Sequence, residues 1–308
     1  MRVILLGQQA FGKSVLEALL ARNDEVAAVF CAPEKAGEKA RPDPLREAAE
    51  AAGIATYMFP KLTAPEALHA ARTARADLGI MAYVTQFVSQ PFCSIPTHGT
   101  IQFHPSLLPL HRGASSLSWS IITGKTETGF SIFRPTDGLD EGPLLLQRRV
   151  PIDPNESLGA LYFDKIFPQG VAGLLEAADQ VLAGTAQETI QDESQATYEG
   201  IIGDPESQIH WHQHVDQVFN LIRGLDPAPA AWTTHQGRKL YLFDVQKHPA
   251  PTFAAVKGKK MGQILTTTPT LTIQAQGGTI SANRIRWQDA KKIPAAEIGL
   301  SQETILGN

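Results

Sequence analysis

Cysteines, long apolar runs and secretion signals are scarce or absent in this sequence. Its two cysteines, Cys31 and Cys93, form no CxxC pair and lie in apolar stretches, which is typical of buried free thiols in a reducing compartment. No apolar run approaches the ~20 residues of a membrane-spanning helix. The opening, MRVILLG, leads straight into a folded pattern without signal-peptide architecture. These absences predict a cytoplasmic protein with no membrane partner.

The glycine patterns of nucleotide-binding proteins are absent as well. The first strand-to-helix turn reads GQQAFG, and Gln9 and Ala10 stand where a G-x-G-x-x-G backbone would approach a pyrophosphate. No clear acidic ribose ligand follows the second predicted strand, and no Walker A sequence occurs. The sequence therefore disfavours NAD binding, and we expect no NAD to be bound by this chain.

Charge gives little indication of a macromolecular partner. The chain has 308 residues, 43% hydrophobic and 19% charged, which suffices for one large domain or two ordinary ones. A net charge of −4 disfavours nucleic acid as a partner of the whole molecule. Residues 205–308 hold 11 Lys and Arg against 7 Asp and Glu, whereas residues 1–204 hold 16 against 24. We interpret this mild basicity as ordinary surface variation.

Short apolar runs alternate with helical patterns over the first 190 residues. Phe11, Val15 and Leu19 recur at helical spacing, and Asp43 is the predicted N-cap of a second helix. This alternation predicts an α/β fold with a Rossmann-like, doubly wound, mostly parallel sheet that has helices on both faces. The predicted strands are RVILLG, EVAAVFCAP, IATYMF, ADLGIMAYV and GTIQFH, then a pair of longer ones, TGFSIFRP and GPLLLQRRVPI. One long helix, or two joined, is predicted over 157–184.

The sequence changes character after Ile190. Residues 191–208 are polar and broken by Gly and Pro, which predicts a linker. HVDQVFNLIRGL predicts a short helix, and KLYLFDV, GQILTTT, LTIQAQG and GTISANRIRW predict strands of a small antiparallel barrel or sheet. We therefore expect an α/β domain over 1–190 and a small, β-barrel-like C-terminal domain over 209–308.

Three alternating histidines, HWHQH at 210–214, have the spacing of a metal site. On a strand, His210, His212 and His214 would share one face and could bind zinc or nickel. The stretch lies beside the polar linker, and no cysteine or carboxylate cluster completes a ligand set. We therefore interpret these residues as solvated histidines and expect no metal.

The stretch IQFHPSLLPLHRGAS, residues 101–115, differs in kind. His104 ends a predicted strand at the carboxyl edge of the sheet, where doubly wound folds bind ligands. Pro105, Pro109 and an Arg-Gly pair restrict the loop that follows, and a stiff loop carrying a histidine suits general acid–base catalysis. Taken alone, a structural histidine in a proline-rich turn explains the stretch better.

A second polar stretch, TDGLDEG, follows between the two longer strands and contains Asp137 and Asp140. The intervening helix and strand are about the right length to return the chain to the same sheet edge. A carboxylate near an imidazole can orient it, hold it protonated, or take a proton from a nucleophile. An Asp-Gly hairpin turn would explain this stretch alone, but the two stretches together favour a catalytic site.

Together, HPSLLPLHRGAS and DGLDEG resemble the formyltransferase family that uses 10-formyltetrahydrofolate. Its hallmark is Asn-x-His-x-Ser-Leu-Leu-Pro, followed by Arg-Gly and Gly-Leu-Asp-Thr-Gly. The resemblance covers most of the chain, and GFSIF, LLLQ, ATYEGI, IRG and AWT are most similar to the N-terminal hydrolase domain of 10-formyltetrahydrofolate dehydrogenase. Such domains pair a Rossmann-like half with a small barrel. The resemblance implies that residues 1–190 are the catalytic domain and that 10-formyltetrahydrofolate is the formyl donor.

The same resemblance implies the site residues. His104 stabilises the oxyanion formed when the formyl carbon on N10 is attacked and then protonates N10, while Asp140 assists proton removal from the attacking group. Gln102, at the position of the family's asparagine, is the third catalytic candidate. The implied folate-binding residues are Gln86, Phe87, Val88, Ser106, Leu107, Leu108, Pro109 and Asp137.

This sequence departs from the family pattern on the acceptor side. Gln102 replaces the asparagine of the transferases and the aliphatic residue of the hydrolase domain, and its amide is one methylene longer. Glu141 replaces the usual threonine, and Leu110 replaces a usual basic residue. The loop at 31–45 lacks the long basic insertion with which tRNA-formylating members hold nucleic acid, so nucleic acid is disfavoured as a partner.

The sequence therefore predicts a one-carbon enzyme that removes the formyl group of 10-formyltetrahydrofolate, with water as the leading acceptor. Transfer to an amine is the alternative, the candidates being an amino sugar, a carrier-bound aminoacyl group or methionyl-tRNA. A second alternative is a folate-binding domain in which Gln102 has abolished turnover. The expected partners are the folate substrate and a fused or separate acceptor module.

Overall fold

The computed structural model describes residues 1–33, 42–250, 252 and 257–307. Contacts group the chain into two compact units, and each is described by itself below. The first unit comprises residues 1–113, 129–150 and 165–198, and the second comprises 114–128, 151–164 and 199–308. The domain boundaries predicted from the sequence stay a prediction.

The first sheet has seven strands: β1 (Arg2–Gly7), β2 (Glu25–Phe30), β3 (Thr56–Tyr57), β4 (Leu78–Ala82), β5 (Thr100–His104), β6 (Glu127–Phe133) and β7 (Leu144–Pro151). Their order is β3-β2-β1-β4-β5-β6-β7. The first five are paired in parallel, and β6 runs antiparallel to β5. Val3, Ile4 and Leu5 are fully buried, as expected of a strand covered on both faces. The predicted mostly parallel α/β sheet is confirmed.

The helices are α1 (Gln9–Ala21), α2 (Pro44–Ala51), α3 (Pro65–Ala74), α4 (Gln90–Cys93), α5 (Ser116–Ile122), α6 (Leu158–Ala160), α7 (Phe167–Leu182) and α8 (Val215–Leu225). A π-helical turn, Leu161–Ile166, joins α6 to α7. The helix predicted over 157–184 is therefore two helices joined by that turn. Asp43 caps α2, since its side chain accepts hydrogen bonds from the backbone N–H groups of Leu45 and Arg46.

The second sheet is antiparallel and curls into a half-barrel. Its order is β10-β11-β12-β9-β8, with β13 beside β12, for β8 (Trp232–His235), β9 (Arg238–Pro249), β10 (Ile264–Thr266), β11 (Leu271–Ala275), β12 (Gly278–Trp287) and β13 (Ile293–Pro294). The apolar face of α8, with Val218, Phe219 and Ile222, packs into the core of this sheet with Leu240 and Ile280. The predicted C-terminal β structure is thus confirmed.

The predicted strand IATYMF is only two residues long in the structure. The ring of Phe59 lies beyond the strand and stacks on the ring of Tyr57 at 5.8 Å, and Pro60 cannot donate to a strand ladder. Most of the loop at 31–45 that we compared with the basic insertion of tRNA-formylating relatives lies in 34–41, outside the described residues. Within the described part of the chain, no helix is both long and apolar enough to cross a bilayer.

Candidate active site

His104 is the last residue of β5, and its neighbours Ile101 and Phe103 anchor the strand in the core. The residue is 5% exposed, and Nε2 lies 3.0 Å from the carbonyl oxygen of His111. Because a carbonyl oxygen only accepts, Nε2 carries a hydrogen and donates it. Nδ1 lies 3.5 Å from Oδ2 of Asp140. When the ring carries two protons, the second one sits at Nδ1, facing the carboxylate.

Asp140 lies in the hairpin loop between β6 and β7 with a left-handed backbone, φ +53°, and is 8% exposed. Besides facing His104, Oδ2 accepts a hydrogen bond of 2.9 Å from the backbone N–H of Gly113. Oδ1 lies 3.5 Å from Nε2 of Gln102. The structure thus brings together the three residues to which the resemblance assigns catalysis, while their roles stay a prediction.

Polar side chains fix the loop that follows His104, and two of them, Ser106 and Ser131, are fully buried. The hydroxyl of Ser106 donates to the carbonyl of Leu110 at 2.6 Å. Ser131, on β6, donates to the carbonyl of Ser106 at 2.7 Å and accepts from the backbone N–H of Leu108 at 3.1 Å. Gln147, on β7, donates to the carbonyl of Leu108 and to the hydroxyl of Ser131. Two neighbouring strands therefore determine the shape of this loop.

The four loop residues predicted to bind folate differ in accessibility. Ser106 and Leu108 are buried, so their side chains hold the loop rather than extend from it. Leu107 and Pro109 are half-buried, and the Leu108–Pro109 peptide bond is cis. A ligand beside this loop would meet the half-buried side chains and the backbone.

The segment after β4 combines a fixed side chain with an exposed ring. Gln86 donates from Nε2 to the carbonyls of Phe59 at 2.9 Å and Pro60 at 3.2 Å. Phe87 is 60% exposed, whereas Val88 is buried. The anchored glutamine leaves the backbone and the aromatic face of Phe87 as the parts of the segment open to a ligand.

Asp137 is exposed at the start of the same hairpin loop that carries Asp140. Its Oδ1 accepts a hydrogen bond of 3.0 Å from the backbone N–H of Gln90, at the first residue of α4. This bond ties the hairpin loop to the segment that follows β4. Asp137 therefore positions the loop backbone.

Sequence reasoning missed Gln191, which it assigned to the linker. Gln191 is 5% exposed and donates from Nε2 to the carbonyls of Asp140 at 2.9 Å and Gly142 at 2.7 Å. Its Oε1 accepts from Nη2 of Arg112 at 2.9 Å, and Arg112 also forms a bidentate ion pair with Glu193. The hydrogen bonding between Arg112 and Glu193 raises the pKa of Arg112 and lowers the pKa of Glu193. The one signal in the sequence was that 191–208 contains the family-like segment ATYEGI.

The histidines at 210–214 do not converge. His214 is the N-cap of α8, and its Nδ1 accepts from the backbone N–H of Asp216 at 3.3 Å. His210 and His212 are exposed. Among the described residues, no group of three or more His, Cys, Asp or Glu side chains has the arrangement of a metal site.

Comparison with known proteins identifies the family. The Formyl transferase profile matches residues 1–177, and the profile of the Formyl transferase C-terminal domain matches residues 202–302. This chain therefore belongs to the formyl transferase family.

The curated relatives come from two groups. The chain is 34% identical over 313 residues to mitochondrial 10-formyltetrahydrofolate dehydrogenase of Homo sapiens, an alignment covering 99% of this chain and 34% of that protein. It is 34% identical over 246 residues to methionyl-tRNA formyltransferase of Geobacter metallireducens, covering 79% of each chain. The chain thus spans about a third of the length of the dehydrogenases it matches.

Solved structures share the fold at low identity. HypX from Aquifex aeolicus, in complex with tetrahydrofolic acid, matches with a TM-score of 0.70 and 19% identity over 97% of this chain and 46% of that one. WlaRD, a sugar 3N-formyl transferase crystallised with dTDP and 5-N-formyl-THF, matches with a TM-score of 0.68 and 15% identity over 92% of this chain and 97% of that one. At these identities the likeness establishes the fold.

Proposed function

We propose that this chain binds 10-formyltetrahydrofolate and hydrolyses it to tetrahydrofolate and formate. The observation that carries the proposal is the buried pair in which Nδ1 of His104 lies 3.5 Å from Oδ2 of Asp140. An acid and a base at this separation can take a proton from a nucleophile and deliver one to a leaving group. Membership of the formyl transferase family supports a folate-bound formyl group as the substrate.

In the proposed reaction, water attacks the formyl carbon and Asp140 takes one of its protons. The carbonyl electron pair moves to the formyl oxygen, where His104, protonated at Nδ1, and the amide of Gln102 stabilise the negative charge. The oxyanion then re-forms the carbonyl, the C–N10 bond breaks, and its electron pair leaves with N10. Nδ1 of His104 protonates N10, which gives tetrahydrofolate and formic acid.

The proton held by Asp140 then returns to Nδ1 of His104, and formic acid ionises to formate in solvent. The bond from Nε2 of His104 to the carbonyl of His111 keeps the ring oriented throughout, so that the exchanging proton stays on the side of Asp140. General acid–base groups of this kind each contribute roughly 10²–10⁴ to the rate.

The proposed folate site lies along the segment after β4 and the loop after β5. The aromatic face of Phe87, which is exposed, suits stacking against a flat pterin ring. The backbone beside Gln86, the half-buried Leu107 and Pro109, and the hairpin loop at Asp137 complete the proposed contacts. Solved relatives of the same fold carry tetrahydrofolic acid or 5-N-formyl-THF, which supports folate as the ligand class.

Transfer of the formyl group to an amine is the second candidate. Gln102 keeps a side-chain amide where transferases of the family have asparagine, and its Nε2 faces Oδ1 of Asp140 at 3.5 Å. The methionyl-tRNA formyltransferase relative, aligned over most of both chains, also supports transfer. In this case an amine replaces water as the nucleophile, and a fused or separate module supplies it.

One assay separates the candidates: the chain is incubated with 10-formyltetrahydrofolate, alone and with an amino sugar, an aminoacyl carrier domain or methionyl-tRNA. We expect tetrahydrofolate and formate to form in equal amounts without any amine. Tetrahydrofolate formation that requires an amine would favour transfer over hydrolysis. Absence of turnover under every condition would favour a folate-binding domain without activity. The Asp140→Asn variant is the matched control for background hydrolysis.

A further inference from the structure

Asp140 is held by residues that lie outside its own hairpin loop. Its backbone occupies the left-handed region, φ +53°, which costs a non-glycine residue about 1–2 kcal/mol and persists only when other contacts hold it. The N–H of Gly113 orients the carboxylate. A further contact holds the backbone of Asp140, and it is made by a residue 51 positions away in the sequence.

That residue is Gln191, whose side-chain amide binds through both of its hydrogens and through its oxygen. Both carbonyls that accept from its Nε2, those of Asp140 and Gly142, belong to the hairpin loop, and its Oε1 accepts from Arg112. The amide can take only this orientation, because the reverse would place an oxygen against two carbonyl oxygens and an N–H against a guanidinium. The pair of Glu193 with Arg112 holds the donor to Oε1 in place.

Arg112 also precedes Gly113, whose N–H binds Oδ2 of Asp140. Gln191 therefore joins two segments, one that fixes the backbone of Asp140 and one that fixes its carboxylate. We infer that Gln191 is a positioning residue that sets the distance and angle between the carboxylate of Asp140 and the imidazole of His104. This inference rests on the proposed function, since it assigns to Gln191 a role in that same reaction.

The test compares Gln191→Met, which removes both the donors and the acceptor at similar size, with Gln195→Met. Gln195 is the matched control because it is an exposed glutamine four positions away that binds Asp192. We expect Gln191→Met to lower kcat for 10-formyltetrahydrofolate roughly 10–100-fold, since misplacement by about 1 Å has effects of this size. Affinity for 5-formyltetrahydrofolate, measured by calorimetry, should change by less than about threefold, and Gln195→Met should match the wild type.

A double-mutant comparison separates positioning from a general effect on folding. If Gln191 acts through Asp140, Gln191→Met added to Asp140→Asn causes little further loss of kcat, because the two residues act as a unit. Loss by the same factor in both backgrounds would overturn the inference, as would a folded Gln191→Met variant with wild-type kcat. Gln191→Glu, nearly isosteric, serves where Gln191→Met does not fold. If neither variant folds, Gln191 is a purely structural residue and the inference is wrong.

A second readout needs no turnover and keeps this inference distinct from the proposed function. In ¹⁵N-labelled protein, the imidazole signals of His104 should move in Gln191→Met in the same direction as in Asp140→Asn, and should stay unchanged in Gln195→Met. Unchanged signals in Gln191→Met would overturn the positioning role whatever the enzyme's activity. A wild type that does not turn over 10-formyltetrahydrofolate would overturn the proposed function, while these signals would still decide the role of Gln191.

Discussion

The backbone N–H of Gly113 donates a hydrogen bond of 2.9 Å to Oδ2 of Asp140, so a loop glycine orients the carboxylate that faces His104. Gly113 has φ of +100°, and an added Cβ would lie 2.6 Å from Cε2 of Tyr198. Both the backbone conformation and the neighbouring ring therefore require glycine. The glycine of the family's Arg-Gly pair permits the turn that directs this N–H to Asp140.

Gly113→Ala should impair both stability and turnover. An alanine forced into this conformation costs about 1–3 kcal/mol of unfolding free energy. We also expect turnover of 10-formyltetrahydrofolate to fall roughly 10–100-fold, because the N–H of residue 113 no longer meets the carboxylate of Asp140. Thermal unfolding and steady-state turnover measure the two effects.

Gly184→Ala is the matched control for this substitution. Gly184 also has positive φ, +67°, but nothing lies within 4 Å of an added Cβ. It should lose only about 1 kcal/mol, with turnover unchanged. A folded Gly113→Ala variant that keeps turnover within about twofold of the wild type would show that Gly113 has no role in orienting Asp140 for the reaction.

Removing either member of the central pair should abolish most turnover. We expect His104→Ala and Asp140→Ala each to lower kcat at least about a hundredfold, because proton transfer needs both groups. The double variant should lose little more, since groups that act as a unit are not additive. Near-normal turnover in either single variant would contradict the assignment, and His69→Ala, at an exposed histidine, is the control.

The parts of the fold that could be predicted are those set by neighbours in sequence. The buried strand β1, the cap at Asp43 and the helices α1, α2 and α8 follow from local periodicity and capping chemistry. Strand β3 was overestimated because Pro60 and the stacking of Phe59 on Tyr57 end its pairing. A run of apolar and aromatic residues is compatible both with hydrogen-bonded pairing in a strand and with packing of the aromatic rings against each other.

The site could be predicted only in part, for a similar reason. His104 and Asp140 stand out because proline and glycine surround them, whereas the residues that hold their loops do not. Ser131 occupies an ordinary position of an apolar strand, and Gln191 opens a polar segment that has the composition of a linker. Their partners lie 25 and 51 residues away, and no local pattern encodes such contacts.

Folate should stabilise this protein and dinucleotides should not. In the turn at GQQAFG, the backbone N–H of Gln9 is already bound by Oδ2 of Asp43 at 2.8 Å, and that carboxylate would repel a pyrophosphate. A folate analogue at about 100 times its Kd should add about 2.7 kcal/mol of stability, by mass action. Thermal shift with 5-formyltetrahydrofolate, NAD(H) and NADP(H) tests this. Stabilisation by a dinucleotide and none by the folate would reverse the assignment.

Both cysteine thiols should be unreactive in the native protein. Burial is the main cause that raises the pKa of Cys31 to about 12 and that of Cys93 to about 11, from 9.0. At pH 8 the thiolate fraction therefore falls roughly a thousandfold for Cys31 and a hundredfold for Cys93. A disulfide reagent should label them only after unfolding in urea, and labelling of the native protein within minutes would contradict this.

The same two pKa values predict a loss of stability in alkali. The unfolded chain releases these thiol protons near pH 9.0, while the folded chain holds them to about pH 11 and about pH 12. Between these limits the native state binds more protons than the unfolded state, so the free energy of unfolding falls as pH rises. Below pH 9.0 the thiols cause no change. Urea unfolding at pH 8 and pH 10 measures the effect, with Cys31→Ala as the comparison. An equal fall in the free energy of unfolding between these two pH values in both proteins would contradict the prediction.

Gln102 should distinguish water from an amine as the acceptor. Its Nε2 lies 3.5 Å from Oδ1 of Asp140, and asparagine would withdraw the amide by about one bond length, ~1.5 Å. If water is the acceptor, the longer side chain fills space that an amine would need. Gln102→Asn should then leave folate affinity within about threefold and should not raise hydrolysis, since an oxyanion donor works only near 2.7–3.1 Å.

Gln102→Met keeps the length of the side chain without its amide, so it separates the effect of bulk from that of hydrogen bonding. Calorimetry with 5-formyltetrahydrofolate and formate release measure the two quantities. A wild type that formylates a small amine far faster than it releases formate would make Gln102 a working transferase donor, and hydrolysis would then be a side reaction.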